Sequence, residues 1–301
     1  MGALTVESIS KTFDTVRAVD GISLSVPEGQ IYGMLGPNGA GKTTTIRMIL
    51  GIFEPDSGSI RYGENGGPPP PDRVGYLPEE RGLYTKMRVL DVLTFLGEIK
   101  SMSRSEARDK GRFWLDRFEM SEWADRPVEQ LSKGMQQKIQ FIGTVLHNPD
   151  LLILDEPFNG LDPINTALIK DVMLELKEAG KTLIFSTHQM EEAERLCEKI
   201  CLIHKGQKVL EGGVAEVKAR HGRNRVVMSF HGDDGFLKDE TLVKRADNYG
   251  QYVEVELQEG ADPQVLLRRA LDGAQIQRFE VAAPSLREIF ILSVGREEDA
   301  E

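Results

Sequence analysis

The segment Gly36–Thr43 constrains this chain most, because its eight residues, GPNGAGKT, fit the pattern G-x-x-x-x-G-K-[ST]. Glycines let the backbone wrap tightly, so that its N–H groups point inward at an anion. Lys42 can reach the β- and γ-phosphates of a nucleotide, and the hydroxyl of Thr43 can bind Mg²⁺. A helix expected to begin near Lys42 turns the positive end of its dipole toward the same phosphates.

The sequence around this loop has the order that the motif requires, namely strand, loop and helix. Residues 29–35 are short and mostly apolar, as in a strand, and residues 44–50 carry apolar side chains at helical spacing before Gly51. This context disfavours the alternative of a chance glycine-rich turn. The predicted phosphate-binding residues are Gly36, Pro37, Asn38, Gly39, Ala40, Gly41, Lys42, Thr43 and Thr44.

An apolar run, Leu151–Asp155, ends in an acid and is followed by Glu156. Runs of this kind are typical of buried strands in parallel sheets, which bind ligands outside their carboxyl ends. Asp155 is therefore placed to hold Mg²⁺, and Glu156 to orient or deprotonate an attacking water. The alternative is a solvated acidic pair in a turn, which the phosphate-binding motif makes less favourable than a catalytic pair.

A second apolar run, Thr182–His188, ends in a histidine at the same predicted edge of the sheet. An imidazole there can contact a γ-phosphate or hold the water and Glu156 in register. The other histidines are interpreted as structural or merely exposed.

The segment Leu131–Lys138, LSKGMQQK, reads as a helix start with Ser132 as its N-cap. Apolar residues at helical spacing follow it. A free helix N-terminus with a serine hydroxyl and the backbone of Gly134 can also bind an anion, so the segment is interpreted as a second phosphate clamp.

Taken together, these motifs resemble the ATP-binding cassette (ABC) family, the ATPase subunits of ABC transporters. The resemblance covers roughly residues 3–220 and includes an NGLD segment at 159–162 and STH at 186–188. It implies an α/β P-loop NTPase fold with a mostly parallel core sheet, an antiparallel β subdomain and a helical subdomain at about 86–147. It also implies hydrolysis of ATP with Mg²⁺, coupled to transport.

The family resemblance further implies partners. Two cassettes, either two copies of this chain or one copy and a homologous cassette, would sandwich ATP and act on a separate transmembrane permease. Ser132 and Gly134 would contact the ATP of the opposite subunit, and Asp162 would cross the interface. Phe13 matches the place of the aromatic residue that stacks on adenine.

This sequence departs from the family pattern at Lys133, Met135, Asn159 and Glu79. Glu79 replaces a glutamine that contacts Mg²⁺ and the attacking water in the family. A carboxylate is a better Mg²⁺ ligand than an amide, and it adds negative charge beside the triphosphate. Glu79 is therefore predicted to be both a catalytic and a metal-binding residue, the alternative being an acid that points to solvent.

Residues 225–301 are predicted to form a separate, small α+β domain after a polar linker at 221–225. Strands are predicted at 225–230, 252–257 and 279–281, and helices at 263–271 and 284–292. The ending Pro284–Phe290 resembles the tail of a C-terminal extension in drug-, antibiotic- and sodium-exporting ABC ATPases. An exporter is therefore expected, with this domain as an accessory for dimer or partner contact.

The formal net charge of −11 argues against an independent nucleic-acid-binding protein, which would show a basic face. No apolar stretch approaches the roughly 20 residues that span a bilayer, and the first residues lack a signal-peptide pattern. The expectation is a cytoplasmic protein, peripheral on the cytoplasmic face of the cell membrane.

Two other functions remain possible at this point. An ABC ATPase of the translation- or DNA-related kind usually carries two cassettes or a long coiled-coil insertion, neither of which this sequence has. A P-loop kinase or other phosphotransferase would not need the segment at 131–135.

Overall fold

The structure, a computed structural model, describes residues 2–63, 66–80, 82–220 and 225–298. Its residues divide into two units, Met1–Val214 and Ala215–Glu301, and helix α7 (Val214–Arg220) crosses the boundary. The strands of the first unit are β1 (Gly2–Phe13), β2 (Val16–Pro27), β3 (Ile31–Leu35), β4 (Ser57–Tyr62), β5 (Val74–Leu77), β6 (Leu151–Asp155), β7 (Thr182–Thr187), β8 (Lys199–His204) and β9 (Gln207–Gly213). Its helices are α1 (Lys42–Ile49), α2 (Val89–Ile99), α3 (Arg104–Arg117), α4 (Lys133–Val145), α5 (Pro163–Glu178) and α6 (Met190–Leu196).

The main sheet has the strand order β5-β6-β7-β3-β8-β9, in which only β9 pairs antiparallel with its neighbour. Every residue of β3, β6 and β7 is buried, because helices and the second sheet cover both faces of these apolar runs. The parallel pairing brings the carboxyl ends of β3, β6 and β7 to one edge. The loops that follow these three strands contain the motifs found in the sequence.

A smaller antiparallel sheet, in the order β2-β1-β4, packs its apolar side chains into the same core as the main sheet. This core includes Leu4, Val6, Leu24, Tyr32 and Met34. Helices α2, α3 and α4 form a largely helical segment between β5 and β6. Among the described residues, no helix is long and apolar enough to cross a membrane.

The second unit contains the four-stranded antiparallel sheet β11-β12-β10-β13. Its core brings Val226, Met228, Val255 and Leu257 of the sheet against Leu266 of a helix. Its elements are β10 (Arg225–Gly232), β11 (Val243–Asn248), β12 (Val253–Leu257), α8 (Pro263–Leu271), β13 (Ala274–Ala282) and α9 (Leu286–Glu298).

Several element bounds differ from those predicted. Helix α1 begins at Lys42, where its start was predicted, whereas β13 is longer than the predicted strand at 279–281. Helix α9 begins at Leu286, two residues after the predicted start. Residues 221–224 of the predicted linker lie outside the described residues.

Candidate functional site

The loop Gly36–Gly41 leads from β3 into α1 and depends on glycine at both of its ends. Gly36 (φ 153°) and Gly41 (φ 105°) have positive φ values that L side chains rarely adopt. A Cβ on Gly36 would lie 2.2 Å from the carbonyl oxygen of Ile203, and one on Gly41 would lie 2.5 Å from that of Ala18. Close backbone packing therefore fixes the loop around the N-terminus of α1.

Lys42, the first residue of α1, is buried within this loop. Its Nζ donates hydrogen bonds to the carbonyl oxygens of Gly36 (2.8 Å) and Pro37 (3.1 Å). Burial lowers the pKa of Lys42, and the negative charges of Glu156, Asp155 and Glu79 oppose this shift. The lysine is thus a desolvated cation surrounded by the carboxylates of the same site.

Asp155, at the end of β6, is completely buried. Its Oδ1 accepts a hydrogen bond from the hydroxyl of Ser186, which lies opposite it on β7. Its Oδ2 has no hydrogen-bond partner among the described residues. A buried carboxylate oxygen without a partner is unfavourable by itself, so this atom is available to a cation.

Glu156, the next residue, has φ 49°, a backbone conformation that costs a non-glycine residue about 1–3 kcal/mol. Its N–H donates to both the carbonyl oxygen and the hydroxyl of Ser186, each at 3.2 Å. Nδ1 of His188 donates to Oε1 of Glu156 at 2.9 Å, and Nζ of Lys42 lies 3.7 Å from the same oxygen. The Glu156 side chain is buried and held from two directions.

Lys42, Asp155 and Glu156 line one cavity of about 290 Å³. Glu79, which follows β5, lines it although it is solvent-exposed at the rim. The cavity thus contains the phosphate loop, the acid pair and the carboxylate of Glu79. Its lining residues are Ala18, Asn38, Gly39, Gly41, Lys42, Thr43, Thr44, Glu79, Asp155 and Glu156.

The side chains at this cavity fit a magnesium ion. Mg²⁺ prefers oxygen ligands and keeps several waters or phosphate oxygens, so one or two carboxylates from the protein suffice. Asp155 offers an unpartnered buried oxygen, and Thr43 and Glu79 add further oxygen atoms at the same cavity. No group of three or more His, Cys, Asp or Glu side chains in the described part of the chain could hold a metal by itself.

Eight predicted site residues are not part of this lining. Gly36, Pro37 and Ala40 belong to the loop itself, and His188 contacts Glu156. The other four lie away from the cavity. Ser132 caps α4 by accepting a hydrogen bond from the N–H of Met135, and Asp162 caps α5 through the N–H of Asn165. Gly134 lies in the first turn of α4. Phe13 is partly exposed and makes an edge-to-face contact with Phe53, with ring centroids 5.4 Å apart.

Two residues at the site were not singled out from the sequence. Ser186 connects Asp155 and Glu156, and Ala18 contributes to the lining of the cavity. Ser186 belongs to the STH segment. Its position near the end of a predicted strand is the feature of the sequence that could have identified it as a site residue. Ala18 carries no polar group, and only the folded path of β2 brings it to the loop.

Family models match both units. Residues 19–159 match the model described as "ABC transporter", and residues 212–294 match "ATP-binding protein DrrA1-3-like, C-terminal domain".

Among curated proteins, the chain is 43% identical to the uncharacterized ABC transporter ATP-binding protein YhaQ of Bacillus subtilis, over 97% of this chain and 98% of the relative. It is 34% identical to Nod factor export ATP-binding protein I of Paraburkholderia xenovorans, over 98% of both chains. It is 30% identical to the daunorubicin/doxorubicin resistance ATP-binding protein DrrA of Streptomyces peucetius, over 99% of this chain and 94% of the relative.

Among solved structures, an ATP-binding subunit of an ABC transporter superposes with a TM-score of 0.67 at 29% identity. That match covers 72% of this chain and 92% of the other chain. A nucleotide-free ATP-binding cassette from an ABC transporter gives a TM-score of 0.64 at 26% identity, over 73% of this chain and 94% of the other.

Proposed function

The chain belongs to the ABC transporter ATP-binding family, and from that membership we propose that its cavity hydrolyses Mg²⁺-ATP through Lys42, Asp155 and Glu156. Members of the family are ATPases that act as the ATP-binding subunits of transporters. One observation carries the assignment of the site. The carboxylate of Glu156 accepts a hydrogen bond from His188 and lies 3.7 Å from Nζ of Lys42, at the cavity that also contains Asp155.

Each residue has a proposed role in the reaction. The N–H groups of the loop and Nζ of Lys42 bind the β- and γ-phosphates, and Thr43 and Asp155 hold Mg²⁺, with Glu79 beside them. When bound, Mg²⁺ neutralises phosphate charge. Glu156 accepts a proton from the water whose oxygen attacks the γ-phosphorus, and ADP leaves with the electron pair of the broken bond. His188 keeps the carboxylate of Glu156 oriented toward that water.

The proposal includes an assembly of two cassettes. Ser132, Gly134 and Asp162 do not line the cavity of their own chain. Ser132 and Asp162 each lie at a helix N-terminus, where backbone N–H groups favour an anion. In the proposed dimer, Ser132 and Gly134 contact the ATP of the second copy, and Asp162 crosses the interface. Phe13 stacks on adenine.

We propose that the transmembrane partner is a separate permease, on whose cytoplasmic face the dimer assembles. The direction of transport is export, which the names of the Nod factor and daunorubicin/doxorubicin relatives favour. The second unit serves as an accessory domain for dimer or permease contact. If a neighbouring gene encodes a multi-span membrane protein, co-purification of that protein with this chain in detergent tests the partner.

Two substitutions test the nucleotide site itself. Lys42→Ala removes the cation that meets the phosphates, so ATP binding should fall at least tenfold with or without Mg²⁺, a loss typical of one charge-assisted contact. Asp155→Asn keeps an oxygen for the hydroxyl of Ser186 but removes the charge from the unpartnered side. It should leave Mg²⁺-free binding unchanged and remove the increase in affinity that Mg²⁺ provides.

Binding of a fluorescent ATP analogue in EDTA and in Mg²⁺ gives both quantities. Lys238→Ala, an exposed lysine of the second unit, is the matched control and should bind as the unmodified chain does. Equal losses in EDTA and in Mg²⁺ for Asp155→Asn would contradict its assignment as a metal ligand.

A further inference from the structure

Helix α4 buries three polar side chains on one face. Gln137, Gln140 and Thr144 are spaced i, i+3 and i+7, which places them along one side of the helix. All three are at most 7% exposed. Buried helix positions are normally apolar, as at Ile139 and Ile142 of the same helix. The polar face therefore needs an explanation.

Two of these side chains donate hydrogen bonds to backbone carbonyls near the catalytic cavity, and the third, Thr144, contacts the strand β5 that leads to it. Nε2 of Gln137 donates to the oxygen of Pro157 (3.3 Å), directly after Glu156. Nε2 of Gln140 donates to the oxygen of Glu80 (3.1 Å). The hydroxyl of Thr144 lies 2.9 Å from the carbonyl oxygen of Gln140 and 3.3 Å from that of Tyr76. The helix that begins after Ser132 thus contacts the segments on both sides of the site.

Of the three side chains, that of Gln140 is the hardest to explain by a contribution to folding stability. Its Oε1 is buried and has no hydrogen-bond partner among the described residues. An unsatisfied buried acceptor is destabilising, and an apolar side chain of similar volume would avoid that cost. The Nε2 of Gln140 does make a contact, and that contact is with the backbone of Glu80.

The group held is the backbone beside Glu79. Pro78–Glu80 follows β5 without regular structure, while the side chain of Glu79 reaches the cavity. In the part of the chain that the structure describes, no other hydrogen bond reaches this three-residue segment. Beyond its covalent link to β5, this contact is the hydrogen bond that holds the segment.

We propose that Gln140 is a positioning residue for Glu79: its amide fixes the carbonyl of Glu80 so that the Glu79 carboxylate remains beside the metal side of the cavity. The inference rests on the proposed role of Glu79 toward Mg²⁺. Gln140, which belongs to the helix capped by Ser132, then determines how strongly Mg²⁺ increases the affinity for nucleotide.

The test measures binding rather than turnover. In full-length chains carrying Glu156→Gln, which slows hydrolysis, the dissociation constant of ATP is measured in EDTA and in Mg²⁺. The ratio of the two constants reports the contribution of the metal. Gln140→Met, which keeps the length of the side chain and removes the donor, should lower this ratio roughly three- to tenfold, the value of one hydrogen bond. The constant in EDTA should stay as in the parent.

Matched variants separate positioning from general damage. Gln136→Met makes the same change on the same helix, but Gln136 donates to the carbonyl of Leu131, away from Glu79, so the ratio should not change. Gln140→Asn retracts the amide by one carbon and should reproduce the effect of Gln140→Met if that variant fails to fold. Thermal unfolding of each variant identifies such a failure.

The variant Glu79→Gln separates the proposed role of Glu79 from the proposed role of Gln140. It should lower the ratio by itself, and adding Gln140→Met to it should have no further effect, because the positioned charge is already gone. If Glu79→Gln lowers the ratio and Gln140→Met and Gln140→Asn do not, the proposal for Gln140 is wrong and the role of Glu79 stands. If Glu79→Gln leaves the ratio unchanged, the role of Glu79 is wrong, and the proposal for Gln140 with it.

Discussion

Glu156 is held in a left-handed backbone conformation between the strand that ends at Asp155 and Pro157. Glu156→Gln keeps the shape of the side chain and removes its ability to accept a proton. Turnover should fall at least about a hundredfold, the upper part of what one general base contributes, while ATP binding is retained. Phosphate release and ATP binding measured on the same preparation check both statements.

Glu191→Gln, an exposed acid of α6 outside the cavity, is the control and should hydrolyse ATP at the normal rate. Normal turnover in Glu156→Gln would remove Glu156 from the role of base.

His147 gives the first unit a pH-dependent stability. Burial, followed by the positive charge of Lys100, lowers the pKa of His147 from 6.5 to about 4, although the carbonyl of Val74 accepts a hydrogen bond from its ring. Lys110 lowers this pKa further and Asp72 opposes the shift. Below pH 6.5 the unfolded chain binds a proton that the folded chain does not bind until about pH 4.

The free energy of unfolding should therefore decrease as the pH falls from 6.5 to 4, by roughly 3 kcal/mol from this histidine. In His147→Gln, which keeps a donor for the carbonyl of Val74, that part of the pH dependence should disappear. Urea unfolding at pH 7 and pH 4.5 measures both chains. An equal pH dependence in the two chains would show that His147 does not titrate in this way.

The chemistry of individual residues was predictable where a motif follows a strand. Lys42, Asp155 and His188 follow three apolar runs, and parallel pairing of those runs places the residues at one edge of the sheet. The contacts of Ser186 and Gln140 were not predictable. They depend on which strand lies beside β6 and on which loop α4 covers. Neither of these tertiary contacts can be predicted from the local sequence.

At the scale of elements, a substitution at Gly36 tests how tightly the loop between β3 and α1 is packed. Gly36→Ala places a Cβ 2.2 Å from the carbonyl oxygen of Ile203, in addition to the strain of its positive φ. The backbone must shift, so we expect a loss of about 2 kcal/mol or more in stability and a strong loss of ATP binding.

Gly29→Ala is the matched control, because Gly29 also has a positive φ but its Cβ would approach nothing closer than 3.9 Å. It should cost only the backbone strain, about 1 kcal/mol, and leave ATP binding intact. Denaturant midpoints and nucleotide affinity are measured for both. Equal destabilisation by the two substitutions would mean that packing against Ile203 is not the cause.

Strands of the second unit show where periodicity fails as a predictor. The sequence of β11, VKRADN, has no apolar alternation, because this edge strand is mostly exposed. The predicted strand at 279–281 covers only part of β13, whose first half contains Gln275 and Gln277. Backbone pairing with β10 defines both ends of β13, and pairing is a property of two segments rather than one.

At the scale of the whole molecule, the proposed dimer makes a prediction about mixtures. Lys42→Ala and Ser132→Arg should each inactivate a homodimer. A mixed dimer places both lesions around one composite site and leaves the other site intact. Mixing equal amounts should therefore recover ATPase activity, up to about a quarter of the unmodified rate if assortment is random.

The unmixed variants at the same total concentration are the controls for this experiment. Dilution supplies an independent check, because shared sites require that the specific activity fall as dimers dissociate. If each subunit hydrolyses ATP alone at full rate at any dilution, the sandwich arrangement is wrong for this chain.

The position of β3 in the main sheet has a consequence for how the protein is made. Both neighbours of β3 come from much later in the chain, β7 at Thr182–Thr187 and β8 at Lys199–His204. During synthesis the loop after β3 therefore leaves the ribosome long before Ile203, against which Gly36 packs. Until then β3 has two unpaired edges, which are prone to aggregation. We therefore expect a nascent chain that already carries the complete phosphate-binding motif to bind nucleotide only after β8 has emerged.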